Sequence, residues 1–216
     1  MGSEMCIRDS FGTFGISYEC ADMAVDEGPL DAEDPSELAR RLAAAKAQAG
    51  ARRFPGHIVV GADTVVAFSG IALGKPADAA EARAVLQRLR GRQHDVITGV
   101  AAARWSASTG DTDPATWART ATTNVWMRDY TDEEIEAYIA SGDPFDKAGA
   151  YAIQHAGFHP VTRLVGCFLN VVGLPLPETR EVLRLAGLHL PPVEAASLER
   201  VCASCADWPV LTSTGS

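Results

Sequence analysis

The sequence of 216 residues lacks the features of a membrane protein or a nucleic-acid-binding protein. No apolar run reaches the roughly 18 to 20 residues of a membrane-spanning helix, and no charged segment followed by an apolar one opens the chain like a secretory signal. Basic residues are not in excess: the net charge is −9, which would repel a phosphate backbone. We therefore expect a cytoplasmic protein that binds neither membranes nor nucleic-acid polymers.

Several common catalytic motifs are missing as well. The sequence contains no GxGxxG, GxxxxGK[ST], HExxH or GxSxG pattern, which argues against Rossmann, P-loop, zinc-protease and α/β-hydrolase sites. The five cysteines include one close pair, Cys202 and Cys205, whereas a structural zinc site needs four ligands. An odd number of cysteines fits reduced thiols better than a disulfide framework.

Lysine is scarce: sixteen of the 19 basic residues are arginine, and the lysines are Lys46, Lys75 and Lys147. A lysine is a compact point charge with three rotatable donors, a type often used against phosphate oxygens. Where arginine serves as the general surface cation, a chemical requirement can explain the lysines that are kept. We therefore predict that Lys75 and Lys147, both in loop-like segments, belong to a functional site.

The chain is organised around the segment IVVGADTVVAFSGIALGKP, from Ile58 to Pro76. Asp63 interrupts an apolar strand, and a buried carboxylate needs a cation, hydrogen-bond donors or a metal. Ser69 and Gly70 form a turn that brings Lys75 to the mouth of the same hairpin. The pair is either a structural ion pair or part of an active site, and the hairpin alone does not decide between them.

Two other polar segments accompany this hairpin. Residues 143–154, DPFDKAGAYAIQ, place an acid beside Lys147 and follow it with small residues, so that the backbone can approach a ligand closely. Glu27 lies in an acidic turn and is a candidate metal ligand if it folds back toward Asp63. Lys46 lies along the edge of an apolar helical stripe, either as a surface lysine or as a residue that reaches past the buried face.

Capping residues and hydrophobic periodicity predict helices that alternate with strands. Helices are predicted to start near Asp34, Asp78, Thr131 and Pro177, and the stripe of the first helix is Leu38, Leu42, Ala45 and Ala49. Further strands are predicted at Ile16 to Val25, Val96 to Ala103, Thr120 to Met127 and Cys167 to Leu176, with an exposed loop at Trp105 to Ala118. The prediction is an α/β domain with a mixed twisted sheet flanked by helices.

Four segments together resemble one known family, and they are GADTVV at 61–66, LGKP at 73–76, DKAGAYAIQ at 146–154 and NVVGLPL at 170–176. In this order they are similar to the Maf family, whose fold resembles that of the inosine-triphosphate pyrophosphatases. The resemblance runs from about Phe11 to Gly187. It implies metal-assisted hydrolysis of a nucleoside triphosphate to a monophosphate and pyrophosphate.

The resemblance also implies roles for individual residues. Asp63, Lys75 and Lys147 match catalytic positions, Lys46, Thr64 and Gln154 match substrate-binding positions, and Asp63 and Glu27 match positions that would hold Mg²⁺ or Mn²⁺. Thr64 and Gln154 resemble the branch that acts on dTTP and UTP. The family further implies a homodimer.

Residues 1–10, MGSEMCIRDS, depart from the family pattern, which has a loop resembling SASPRR that grips the phosphates. We interpret them as a foreign start and residues 11–187 as the catalytic domain, with 188–216 as a loosely ordered tail. We expect the chain as written to be less active than one with the family loop. The alternatives are a pyrophosphatase for modified guanine or other nucleotides, and a non-catalytic nucleotide-binding regulator of cell division.

Overall fold

A computed structural model describes residues 15–28, 30, 33–105 and 112–190. The predicted foreign start at 1–10 and the tail from 191 onward lie outside the described residues. The regular elements in chain order are helix α1 (Pro35–Arg53), strands β1 (Ile58–Phe68) and β2 (Ile71–Leu73), helix α2 (Ala79–Leu89), strands β3 (Gln93–Arg104) and β4 (Ala115–Met127), helix α3 (Asp132–Ala140), two short 3-10 helices (Asp143–Asp146 and Ala148–Ala150), strand β5 (Val161–Val165), and helices α4 (Phe168–Val172) and α5 (Leu176–Leu185).

The sheet confirms the predicted α/β class. Its described strands run in the order β2-β1-β3-β4-β5, and every pairing between them is antiparallel. Strand β1 pairs with β3 over ten residues, which places Asp63 opposite Gly99. It pairs with β2 only from Val66 to Phe68. Asp63 therefore lies in a part of β1 that pairs with β3 on one side and does not pair with β2 on the other.

Helix α1 packs closely on β1 and β3 because glycines face it. A Cβ atom at Gly61 would lie 2.5 Å from the carbonyl oxygen of Ala43 and 2.6 Å from the amide nitrogen of Ala47, and one at Gly99 would collide with the backbone of Ala39. The helix side of this contact consists of fully buried alanines. Small residues on both sides thus fix the height of α1 above the strand that carries Asp63 and Thr64.

The larger core lies between the sheet and the remaining helices. Leu86 and Leu89 of α2, Ile135 and Tyr138 of α3, and Leu164 of β5 are buried in one apolar cluster. Within the described ranges, none of the helices combines the length and apolar character that crossing a bilayer requires.

The four predicted helix starts are confirmed, and side-chain caps explain three of them. The Asp34 carboxylate accepts hydrogen bonds from two amides of the first turn of α1, and Asp78 does the same for one amide of α2. Thr131 and Glu134 form a reciprocal capping box at α3. Gly91 and Gly142 follow α2 and α3 in left-handed conformations, as expected of helix terminators.

Three details of the secondary-structure prediction are wrong. Ile16 to Val25 forms no strand and runs as irregular chain. The strand predicted at Cys167 to Leu176 is instead helix α4 followed by a turn at Gly173, because a short apolar run does not distinguish a buried strand from a buried helix. The predicted exposed loop up to Ala118 is too long, since β4 begins at Ala115 and its first four residues already pair with β3.

The apolar stripe predicted for α1 is only half correct. Leu38 and Leu42 are buried, but Ala45 and Ala49 are only partly buried. The fully buried alanines are one or two positions away, at Ala39, Ala43, Ala47 and Ala51. The contact with the glycines of the sheet selects the face with the smallest residues, a preference that hydrophobic spacing alone does not reveal.

Candidate active site

A cleft of about 930 Å³ contains five of the seven predicted site residues, namely Asp63, Thr64, Lys75, Lys147 and Gln154. Its walls come from β1, the GKP loop, the segment 143–157 and the end of α4. This size is within the range of clefts that enclose small-molecule ligands. Three segments far apart in sequence therefore meet around one cavity.

Lys46 and Glu27 do not line the cleft, but they contact two residues that do, Asp63 and Lys75. The Lys46 ammonium donates a hydrogen bond to Asp63 Oδ1 at 2.6 Å and lies 2.8 Å from Glu27 Oε1. The Lys75 ammonium lies 3.5 Å from Glu27 Oε2. Glu27 thus folds back toward Asp63, while Asp63 is paired with the helix lysine and not with the lysine of its own hairpin.

The electrostatics of this group follow from its partial burial. Burial raises the pKa of the Asp63 carboxyl above its usual range, and the hydrogen bond from Lys46 offsets only part of that effect. Burial opposes the charge of Lys46, but its two carboxylate partners raise its pKa overall. The hydrogen bond with Lys46 lowers the pKa of Glu27. Asp63 is therefore a more basic carboxylate than an exposed aspartate.

Lys147 is held by acidic neighbours within its own segment. Its ammonium lies 2.6 Å from Asp146 Oδ1 and 3.2 Å from Asp143 Oδ1, and it donates to the carbonyl oxygen of Asp143 at 3.1 Å. Asp143 in turn accepts a hydrogen bond of 2.6 Å from the Tyr138 hydroxyl. The sequence indicated the acid beside Lys147, which is Asp146, but the contacts of Asp143 with Lys147 and Tyr138 were missed, although an aspartate four residues before a lysine was an available signal.

The segment around Lys147 reaches the cleft because of a glycine. Gly149 has a φ of 69°, and a Cβ atom there would lie 2.8 Å from Val66 Cγ1. Its amide donates to the carbonyl oxygen of Gly74 at 3.1 Å. The DKAGAY segment therefore packs directly on β1 and on the GKP loop, and this contact brings Lys75 and Lys147 to the same cavity.

A buried histidine, His94, contacts Tyr151, which lies two residues after Gly149 in the same segment. His94 of β3 is 3% exposed, and its Nε2 lies 2.7 Å from the hydroxyl of Tyr151, which lines the cleft. Burial lowers the pKa of His94 to about 4, so the imidazole is neutral at pH 7. Sequence reasoning missed this pair because no local motif surrounds His94.

Thr64 and Gln154, the predicted base-reading pair, both line the cleft. The Thr64 hydroxyl lies 2.9 Å from that of Thr98 on the neighbouring strand. Gln154 is exposed and lies beyond Tyr151 along the same segment. The two residues therefore approach the cavity from the sheet and from the opposite loop.

The arrangement of carboxylates limits how a metal ion could bind. No group of three or more histidine, cysteine, aspartate or glutamate side chains suited to a metal occurs among the described residues. Asp63 and Glu27 nevertheless converge on one cationic atom, the Lys46 ammonium. Mg²⁺ is often held by one or two carboxylates together with water and substrate phosphates. This pair fits such a site.

Comparisons with known proteins agree with the motifs. A family model described as "Maf-like protein" matches residues 8–186. A protein of Thermomicrobium roseum is 44% identical over 199 residues, which cover 92% of this chain and 88% of the relative. Proteins of Geotalea uraniireducens and Anaeromyxobacter dehalogenans are 44% and 41% identical over 80% and 85% of this chain and 86% and 91% of their own lengths. Each of the three is named dTTP/UTP pyrophosphatase.

Proposed function

This chain belongs to the Maf family, and from that premise we propose that it hydrolyses dTTP and UTP to the corresponding monophosphate and pyrophosphate. The observation that carries the proposal is the cleft in which the partly buried Asp63 carboxylate meets Lys75, Lys147 and Thr64. The names of the relatives support the reaction and the two substrates.

In this reaction Asp63 orients the attacking water. Its carboxylate lines the cleft, so it needs no side-chain movement to face the water. Lys46 acts on Asp63, because its hydrogen bond to Oδ1 fixes the carboxylate plane. Lys75 and Lys147 neutralise the charge that moves onto the departing pyrophosphate.

A divalent cation, Mg²⁺ or Mn²⁺, belongs to the proposal because of the charge balance. Four carboxylates, from Glu27, Asp63, Asp143 and Asp146, contact the three ammonium groups of the site or lie beside them. A triphosphate brings about four more negative charges, so the lysines alone do not balance the substrate. Asp63 and Glu27 would hold the ion, which when bound would offset part of the phosphate charge.

Thr64 and Gln154 are proposed to read the base. The Gln154 amide can donate to the O4 of uracil or thymine, and the Thr64 hydroxyl can accept from the N3–H of the same edge. A site that pairs with that edge penalises a base that leaves its groups unpaired. Preference for dTTP and UTP over CTP, GTP and 7-methyl-GTP in a parallel assay would support this assignment, and best turnover of a purine nucleotide would favour the modified-guanine alternative.

The central experiment replaces Asp63 by asparagine, which keeps the shape and removes the negative charge. We expect pyrophosphate release from dTTP, with Mg²⁺ or Mn²⁺ present, to fall by a factor of about 100 or more. The matched control is Asp95→Asn: Asp95 lies on the neighbouring strand, accepts a hydrogen bond from Asn124 and does not line the cleft. Folded Asp63→Asn protein with the parental rate would contradict the assignment.

The same assay addresses the non-catalytic alternative. A regulator that only binds nucleotide would bind dTTP without releasing pyrophosphate in the presence of either metal. The homodimer implied by the family remains a prediction, which light scattering of the purified protein would test. The cytoplasmic location also remains a prediction, and cell fractionation would test it.

A further inference from the structure

A chain of hydrogen bonds leads from the cleft into the core through Thr64. The Thr64 hydroxyl lies 2.9 Å from the hydroxyl of Thr98, and Thr98 donates to the backbone carbonyl oxygen of Asn170 at 2.7 Å. Thr98 is fully buried, whereas Thr64 lines the cleft. Thr98 therefore cannot touch a ligand, but it contacts a residue that can.

The direction of each hydrogen bond in this chain is fixed by the partners. A carbonyl oxygen can only accept, so the single hydroxyl hydrogen of Thr98 points to Asn170. Thr98 then has only lone pairs left for Thr64. The hydroxyl hydrogen of Thr64 must therefore point to Thr98, and Thr64 offers only lone pairs to the cleft.

The residue whose carbonyl oxygen accepts the hydrogen bond from Thr98, Asn170, is itself held by further hydrogen bonds. The side-chain amide of Asn170 donates to the carbonyl oxygen of Val96 and to the Thr123 hydroxyl, both at 2.9 Å. The Thr123 hydroxyl donates a hydrogen bond to the carbonyl oxygen of Cys167 at 3.0 Å. Since Asn170 and Thr123 are fully buried, this acceptor does not turn away when a ligand enters the cleft.

We propose that Thr98 is a positioning residue for base selection, which makes the Thr64 hydroxyl an obligatory acceptor. Such an acceptor favours a pyrimidine that presents a donor, the N3–H of uracil or thymine, over cytosine, whose N3 is itself an acceptor. The inference rests on the proposed function. It goes beyond that function in assigning the discrimination between UTP and CTP to a buried residue that does not contact the substrate.

The test replaces Thr98 by valine, which has the same shape but no hydroxyl. Thr64 can then turn its hydrogen into the cleft and donate to cytosine N3. We expect the ratio of kcat/KM for UTP to that for CTP to fall by about fivefold or more, which is the scale of one hydrogen bond. Thr98→Ser restores a hydroxyl and should restore the parental ratio.

Thr179→Val is the matched control for loss of a buried hydroxyl. Thr179 is also fully buried and donates to a backbone carbonyl at 2.7 Å, but it lies in α5 and does not line the cleft. This variant should keep the parental ratio even if its melting temperature falls. A ratio that falls equally in both valine variants would reduce the effect to general destabilisation and overturn the proposal.

A second variant tests the inference without altering the core. Thr64→Val removes the acceptor itself and should lower the UTP-to-CTP ratio, and adding Thr98→Val to it should lower the ratio no further. An unchanged ratio in Thr64→Val, or additive effects in the double variant, would refute the proposal. Absence of pyrophosphate release from every nucleotide in the parental protein would instead refute the proposed function.

Discussion

Mild acid should destabilise this protein through His94, whose surroundings exclude a charged imidazole. The ring lies between β3 and the segment after the second 3-10 helix, with Nε2 bonded to the Tyr151 hydroxyl and Nδ1 without a partner among the described residues. A second proton would therefore place an unsatisfied charge in the core. Burial lowers the pKa of His94 from 6.5 to about 4 for this reason.

The sign and size of the effect follow from that difference. Below pH 6.5 the unfolded chain binds a proton at His94 that the folded chain does not bind, so the stability contributed by neutral His94 is present above pH 6.5 and is lost as the pH falls toward 4. At ~1.4 kcal/mol per pKa unit, the loss approaches about 3 kcal/mol. This is a large fraction of the stability of a typical domain.

Urea unfolding between pH 7 and pH 4.5 measures the prediction. His94→Gln keeps an amide that can reach the Tyr151 hydroxyl but does not titrate, so its unfolding free energy should decline less steeply with falling pH than that of the parent. Replacement of the exposed His57 by glutamine is the control and should leave the parental slope unchanged. Superimposable profiles of the parent and His94→Gln would refute the reasoning.

Two further predictions concern the packing of α1 and the start of the chain. Gly61→Ala would place a methyl group 2.5 Å from the Ala43 carbonyl oxygen, so we expect the free energy of unfolding measured in urea to fall by about 1 to 3 kcal/mol. Pyrophosphate release should also become slower, because the displaced α1 carries Lys46 away from Asp63. An unfolding free energy equal to that of the parent would contradict the close contact. Replacing residues 1–10 by a SASPRR-like loop should raise kcat/KM by about tenfold or more, because each added guanidinium contributes charge-assisted hydrogen bonds to phosphate; equal values for the two chains would exclude this.

The elements that the sequence predicted well are those with local physical causes. Asp34, Asp78 and Thr131 cap helices through bonds to amides two or three residues away, and such contacts depend only on the neighbouring residues. The apolar run around Asp63 predicted the central strand for the same reason. The prediction for Cys167 to Leu176 was wrong because the hydrogen bonds of Asn170 are not local: its side-chain NH2 group donates to Val96 of β3 and to Thr123 of β4.

The candidate site, too, was predicted from the sequence only in part. The scarcity of lysine and the motif segments indicated which residues meet at the cleft, and five of the seven line it. They did not indicate which side chains pair. Lys46 reaches Asp63 only because glycines let α1 settle on the sheet, and Thr98 reaches Thr64 only through the register of β1 and β3. Contacts between distant segments depend on register and packing height, which a single sequence does not encode in any short pattern.

In the segment that carries both Lys147 and Gln154, the two roles that we propose, phosphate binding and base reading, share contacts with the Tyr138 hydroxyl. The Tyr138 hydroxyl donates to Asp143, which holds Lys147, and accepts from the amide of Ala152 at 3.0 Å, two residues before Gln154. If a triphosphate draws Lys147 away from Asp143, we expect the change to reach the support of Gln154. Likewise, we expect a base that Gln154 does not accommodate to shift the same support and with it Lys147. Base identity should consequently affect kcat as well as KM, because the proposed base-reading group and the group proposed to stabilise the departing pyrophosphate share one support.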